Sequence, residues 1–164
     1  MFEFILRLIA SMSGSFIIAF SFAGSALAQV NPAHSPIGRW QTIDDKTGQS
    51  RAIVRIYEVN GTLQGDIEKV FWRADEDAKS RCERCPAPQQ GKEMIGLTIL
   101  WALTPSYRDQ RSAGFDKGQI LDPANATVYK CKMTLEDGGK RLALRGFVGF
   151  TGALGRTQTW HRVL

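Results

Sequence analysis

A succession of short segments with β-strand character, separated by turn signals, most constrains what this chain can fold into. Asn60-Gly61 lies between two apolar segments, and this dipeptide is favoured in the two-residue type I′ turn of a β-hairpin. No amphipathic helix pattern separates the segments. The pattern predicts eight strands, at residues 37–44, 49–59, 62–72, 96–103, 118–121, 127–136, 140–150 and 155–163.

Eight short strands with hairpin-like connections favour an all-β fold. A closed, up-and-down antiparallel barrel removes the unpaired strand edges that an open sheet would expose. A β-sandwich is the alternative. We therefore predict a single eight-stranded barrel over residues 37–164, with an interior that is either filled by side chains or holds one small ligand.

Two polar segments are predicted to be loops. Residues 73–95 are first charged, then cysteine-rich, then rich in Pro and Gln, and a loop of this length in a compact domain is often functional. A short helix over residues 75–81 is one option within it. Residues 104–117 form the second predicted loop.

The N-terminus is typical of a secretory signal peptide. Arg7 precedes an interrupted apolar run, and Ala26-Leu27-Ala28 has the small-x-small pattern of a cleavage site. The apolar run is shorter than the roughly 20 residues of a spanning helix, so an uncleaved anchor is the weaker alternative. We predict a signal peptide at residues 1–28, cleavage after Ala28, and a flexible leader at residues 29–36. The mature domain would then be periplasmic or secreted, with no stable membrane span.

The formal net charge is +5, which is compatible with an acidic envelope partner but is also ordinary for solubility. Export and the lack of a Lys/Arg block argue against nucleic acid. His34 and His161 are isolated, and neither a Gly-x-Ser-x-Gly nor a His-Glu-x-x-His motif is present. The chain is therefore expected to be non-enzymatic and to need no cofactor.

The three cysteines are interpreted by compartment. In an oxidising compartment, a structural disulfide between Cys82 and Cys85 is favoured over a redox dithiol, because the βαβ setting of thioredoxin-like motifs is not visible. A zinc site needs four ligands, so no metal is predicted. Cys131 is expected to be a buried, inert thiol, although its pairing with Cys82 or Cys85 stays open.

A series of motifs runs along the whole predicted domain: Ile37-Gly38-Arg39-Trp40, Cys82-x-x-Cys85, 95–101, 120–123, 129–132, 144–146 and 155–160. This series resembles the DUF2147 family, exported bacterial proteins of unassigned function, whose architecture is similar to lipocalin-like (calycin) barrels. Ala126 departs from the Gly usual in that family after the Asp-Pro turn. Because a positive φ is costly for Ala, this turn is expected to differ locally.

The resemblance implies a barrel seam. Lipocalins carry a Gly-x-Trp on the first strand and a late basic residue that packs on the Trp. Gly38 and Trp40 match the first element, and Arg156 or Arg162, beside Trp160, would supply the second. We expect Trp40 to lie at the closed end of the barrel, under one of these arginines.

Three functional hypotheses remain. The first is a binding protein for a small apolar or amphipathic ligand. The second is a ligandless module that interacts with an envelope component through its loops. The third, less favoured, is a thiol-active protein that uses Cys82 and Cys85. For the first, the candidate ligand-binding residues are Tyr57, Trp72, Trp101, Tyr129 and Arg145, although such aromatic residues could equally fill the core.

Overall fold

The computed structural model describes residues 34–106, 113–150 and 152–164. The predicted signal peptide, its cleavage site and residues 29–33 of the leader lie outside the described residues. Among the residues that are described, no helix has the length and apolar character needed to cross a membrane.

The chain forms a closed antiparallel barrel in which each strand pairs with the next and β8 returns to β1. This confirms the predicted all-β, up-and-down fold. The strands are β1 (Gly38–Ile43), β2 (Ser50–Val59), β3 (Thr62–Val70), β4 (Thr98–Ser106), β5 (Gly114–Asp122), β6 (Thr127–Glu136), β7 (Arg141–Phe147) and β8 (Gly155–Val163).

The predicted loop at residues 104–117 is wrong at both of its ends. Thr104 pairs with Asp116 and Ser106 with Gly114, so β4 and β5 each extend well into this segment. Ala102 and Lys117 adopt positive φ, 61° and 62°, next to this pairing. These two local kinks break the two-residue alternation, which is why the sequence pattern did not indicate a strand there.

Two further expectations about local structure also fail. Residues 75–81 form turns and bends with no helix, and Arg81 makes an isolated antiparallel bridge with Glu93. Ala126 adopts φ 57° in the turn between β5 and β6, so this turn keeps the positive φ for which Gly is better suited.

The barrel has a packed end and an open end. The packed end carries the Asn60-Gly61 turn, the 3₁₀ turn Asp137–Gly139 and residues 34–37, which precede β1. The strand halves nearest this end direct large apolar side chains inward, all of them buried: Ile56, Leu63, Leu103, Phe115, Met133, Leu135 and Leu142. Packing here leaves no space at Gly118, where a Cβ would lie 2.2 Å from Cγ of Leu103.

Trp40 closes the seam between the first and last strands at the packed end. Its indole is fully buried, and Nε1 donates a hydrogen bond of 2.7 Å to the carbonyl oxygen of Pro36. Its strand partner is Arg162, whose Cζ lies 4.3 Å from the Trp40 ring centroid. A guanidinium over an indole face is a favourable cation–π contact.

Arg162 also makes three hydrogen bonds, which join β8 to the segment before β1 and to the 3₁₀ turn. Nε donates to the carbonyl of Gly139 (2.6 Å), Nη1 to that of Ile37 (3.0 Å) and Nη2 to that of Ser35 (2.7 Å). Burial lowers the pKa of Arg162 below its ordinary value. Gly38 leaves room for this guanidinium, because a Cβ there would lie 2.8 Å from Nη1 of Arg162, and its φ of 141° favours glycine.

The structure thus selects Arg162, and not Arg156, for the contact with Trp40. Arg156 begins β8 at the opposite end of the barrel, where its Nη1 lies 3.0 Å from Oδ2 of Asp45. Six residues along one strand separate the two arginines by most of the barrel height. Trp160, which is buried, faces the interior two residues from Arg162.

The cysteines adopt the favoured pairing. Cys82 and Cys85 form a disulfide within the long loop between β3 and β4, and both are buried. Cys131 is free and buried on the inner face of β6. Burial raises the pKa of the Cys131 thiol to about 12, so the reactive thiolate form is scarce near neutral pH.

We predict that Arg162→Lys destabilises the protein by about 2 kcal/mol, because lysine cannot replace the three directed hydrogen bonds or the planar contact with Trp40. Arg156→Lys is the matched control and should change stability by about 0.5 kcal/mol or less, since its ion pair is exposed. Urea unfolding midpoints at unchanged m would measure both. Equal losses in the two variants would contradict this role for Arg162.

We also predict the number of reactive thiols. The native protein should show none towards a thiol reagent at pH 8, the denatured protein one, and the denatured and reduced protein three. Cys131→Ser should show none after denaturation without reductant. Any free thiol in that variant would mean that Cys131 takes part in the pairing.

Candidate functional site

The open end of the barrel leads into a cavity of about 990 Å³. Two positions of its wall hold small residues, Ala52 and Gly146, which leave space in the interior, and the indole of Trp160 lines the cavity as well. The other apolar side chains along its walls are Val54, Ile67, Val70, Ile99, Ile120, Leu121 and Leu144.

Polar side chains in the cavity wall are bonded to protein groups. The Thr42 hydroxyl accepts a hydrogen bond of 3.0 Å from the backbone nitrogen of Ala52. Gln158 donates from Nε2 to Asp45 (3.3 Å) and accepts at Oε1 from Nε1 of Trp160 (3.4 Å). These bonds use the polar atoms within the protein, so the inner wall presents mainly apolar surface to whatever occupies the cavity.

Charged residues surround the mouth in ion pairs. Arg51 Nη1 lies 2.7 Å from Oε2 of Glu76, and Arg73 pairs with Asp44. The hydrogen bond from Arg51 lowers the pKa of Glu76. Hydrogen bonds from the Thr47 backbone first, and then from its hydroxyl, from Lys46 and from Arg73, lower the pKa of Asp44 to about 2. Both carboxylates are therefore ionised near neutral pH.

The mouth contains both signs of charge in equal number. Five cationic side chains line the cavity and its mouth, Lys46, Arg51, Arg73, Arg81 and Arg156, together with five acidic ones, Asp44, Asp45, Glu76, Asp77 and Asp122. A polar group of a ligand would meet both cationic and acidic side chains here, with neither sign of charge in excess.

The long loop between β3 and β4 forms one wall of the cavity. Its residues Trp72 and Met94 line the cavity, and the disulfide lies behind them in the buried core. The backbone nitrogen of Cys82 bonds to the Lys92 carbonyl (2.9 Å), and that of Gly91 to the Cys82 carbonyl (3.0 Å). The cross-link and these bonds hold the loop as an ordered wall.

The candidate ligand-binding residues divide into two groups. Trp72 and Tyr129 line the cavity, and the Tyr129 hydroxyl accepts a hydrogen bond of 3.0 Å from Asn125 at the mouth. Tyr57, Trp101 and Arg145 are not among the residues that line the cavity.

Strand alternation explains why Tyr57 and Arg145 lie outside. Ala52, Val54 and Ile56 point inward, so Tyr57 points outward, where its hydroxyl donates to Oδ2 of Asp66 (2.7 Å) and this bond raises its pKa.

Arg145 lies between the inward residues Leu144 and Gly146, and its Nη2 donates to the carbonyls of Gly152 (2.8 Å) and Ala153 (3.3 Å). Trp101 pairs with Gln119 beside the kink at Ala102 and packs half-buried against the core.

Small residues that line the cavity are not evident from the sequence, where aromatic side chains give the stronger signal. Ala52, Val54 and Gly146 are such residues, and they fill less of the interior than an aromatic side chain would. The inward alternation of residues 52, 54 and 56 was a usable signal for the first two. The position of Gly146 follows from the same alternation along β7, with Leu142 and Leu144.

The fold is similar to that of HP1028, a protein from the human pathogen Helicobacter pylori that belongs to the lipocalin family. The TM-score is 0.64 at 20% sequence identity, over 79% of this chain and 84% of that protein. At this identity the similarity shows the fold alone. A search of curated proteins finds no significant match. The family model for DUF2147, an uncharacterised protein conserved in bacteria, matches residues 38–162, so this chain belongs to the DUF2147 family.

Proposed function

We propose that this barrel is a non-enzymatic binding protein that takes a small apolar or amphipathic molecule into its cavity. The observation that carries the proposal is the cavity of about 990 Å³ with mainly apolar walls and a charged mouth. Small-molecule sites in proteins are typically concave, mostly apolar and about 300–1,000 Å³ in volume, with a few polar groups that fix orientation.

The physical argument concerns what fills this space. Protein interiors are close-packed, and voids larger than a water molecule are few. Water against the apolar wall formed by Val54, Ile67 and Leu144 would lack hydrogen-bond partners there. An apolar group that replaces this water gains the free energy of removing apolar surface from water. The apolar part of the ligand would therefore lie inside and any polar part at the mouth.

The disulfide supports the proposed periplasmic or secreted location, because such bonds persist in oxidising compartments. Its burial argues against the thiol-active alternative, since a catalytic pair must meet its substrate. The ligandless envelope module remains the second candidate, because the mouth loops carry many exposed charged groups that could contact a macromolecule.

We predict that Ala52→Phe lowers the affinity for a fluorescent probe at least tenfold, because the phenyl ring would occupy the cavity. Two probes would be titrated into delipidated protein: the uncharged N-phenyl-1-naphthylamine and the amphipathic cis-parinaric acid. Ala143→Phe is the matched control. Ala143 lies on β7, where it pairs with Thr134 of β6 and Thr159 of β8, and it does not line the cavity. Its affinity should equal that of the wild type.

Native mass spectrometry of protein purified from its own host would complement the titration. We expect a bound small molecule that is lost in Ala52→Phe and kept in Ala143→Phe. A wild-type protein that binds neither probe and carries no additional mass after repeated preparations would reject the binding function. The envelope module would then be favoured.

A further inference from the structure

Exposed apolar side chains are concentrated on the loop between β7 and β8. Among the described residues, six large apolar side chains are exposed, and three of them lie here: Phe150, 98% exposed, Leu154, 73%, and Val148, 47%. A phenyl ring that is almost fully in water buries almost no apolar surface within the fold. Three such residues on one short loop make it a candidate interaction site.

This loop is held in place by bonds from the barrel wall. The backbone nitrogen of Val148 donates to the Leu154 carbonyl (2.9 Å), which closes the base of the loop. Arg145 donates to the carbonyls of Gly152 and Ala153 from the outer face of β7. Lys130 donates to the Gly149 carbonyl (3.2 Å) and places its Nζ 4.4 Å from the Phe150 ring centroid. The apolar side chains are therefore presented outward on a braced support.

The surface next to this loop is basic. Lys130 and Lys132 are exposed on β6, and Lys132 pairs across the sheet with Arg145. The segment 127–135 contains no Asp or Glu. Residues 138–164 likewise contain no Asp or Glu. Of the cations in this segment, Arg145 and Arg156 lie at this end of the barrel, and Arg156 pairs with Asp45 of the β1–β2 turn. An apolar tip flanked by cations, without neighbouring carboxylates on its own strands, complements a surface that is apolar inside and anionic outside.

We propose that the β7–β8 loop docks this protein onto an anionic lipid bilayer. Val148, Phe150 and Leu154 would enter the boundary between headgroups and acyl chains, while Lys130, Lys132 and Arg145 would meet lipid phosphates. Binding by such surfaces combines buried apolar area with electrostatic attraction to anionic lipid. A protein partner would require a shaped, complementary surface. Apolar side chains flanked by cations match the bilayer interface without such a surface.

The same loop forms part of the cavity mouth. Val148 and Leu154 line the cavity in addition to being exposed, and Phe147 and Gly155 at the loop base line it too. Docking would thus place the mouth against the membrane surface, where apolar and amphipathic molecules reside. The docking inference does not depend on the proposed binding function, because the exposed residues and cations are present whether or not the cavity takes a ligand.

Vesicle co-sedimentation of the intact mature chain tests the inference. We expect binding to phosphatidylcholine vesicles that contain about 30% phosphatidylglycerol, and at least tenfold weaker binding to phosphatidylcholine alone. Phe150→Ser combined with Leu154→Ser should weaken binding at least tenfold, because burial of these side chains is lost. Leu164→Ser is the matched control, since Leu164 is equally exposed but lies at the packed end, and it should bind as the wild type does.

A second pair of variants tests the cations. Lys130→Gln with Lys132→Gln should weaken binding about tenfold or more, whereas Lys130→Arg with Lys132→Arg should bind as the wild type does. Raising NaCl from about 0.1 M to 0.5 M should also weaken wild-type binding, because salt screens the attraction. All these residues are at the surface, and unchanged urea midpoints would show that the variants are folded.

Three results would overturn the inference: no binding of the wild type to anionic vesicles, equal binding to both vesicle types, or full binding by the Phe150/Leu154 double variant. Capture of an envelope protein through this loop without vesicle binding would likewise overturn it in favour of a protein partner. Ala52→Phe should still bind vesicles. Loss of probe binding and loss of vesicle binding can therefore be distinguished, and either proposal can fail alone.

Discussion

The barrel depends on closure between β1 and β8, and this junction is short. Only three residue pairs span it, Arg39–Val163, Trp40–Arg162 and Gln41–His161. A backbone ladder this short stabilises the junction only weakly, so the side chains at its centre supply further stabilising contacts. Arg162 covers Trp40 and bonds to carbonyls of the segment before β1 and of the 3₁₀ turn. Without closure between β1 and β8 the sheet would have two open edges and no enclosed interior.

The interior has a gradient of side-chain size along the barrel axis. At the packed end, Leu103 fills the space over Gly118 and leaves none for a Cβ. Towards the mouth, Ala52 and Gly146 occupy comparable inward positions on β2 and β7 and leave the cavity. The packed end supplies the hydrophobic burial that stabilises a domain of this size. The open end therefore need not be filled by the chain's own side chains. The half of the barrel that stabilises the fold is thus distinct from the half that is available to a ligand.

Sequence reasoning identified the elements whose signals are local. Asn60-Gly61, the alternation of β6 and the spacing of Cys82 and Cys85 each depend on a few adjacent residues, and the structure contains the corresponding turn, strand and disulfide. It failed where geometry depends on a partner strand. The kinks at Ala102 and Lys117 lie in the same gap of the β4–β5 ladder, between the pairs Trp101–Gln119 and Thr104–Asp116, so neither strand alone indicates the pairing beyond them. The cavity was missed for a similar reason, since empty space follows from small residues on several strands at one height.

The two sides of the mouth differ in the chemistry that holds them. On the side of β1, β2 and the long loop, carboxylates and guanidinium groups pair with one another, as Asp44 does with Arg73 and Glu76 with Arg51. On the side of β6 to β8, Arg145 and Lys130 bond instead to neutral carbonyls, while Arg156 at the start of β8 pairs with Asp45. A neutral carbonyl does not cancel the field of a cation, so the outer face of β6 and β7 attracts anions more than the ion-paired side does. The two sides of the mouth therefore suit different surroundings. The basic, apolar side is suited to face an anionic surface, and the ion-paired side is suited to face water.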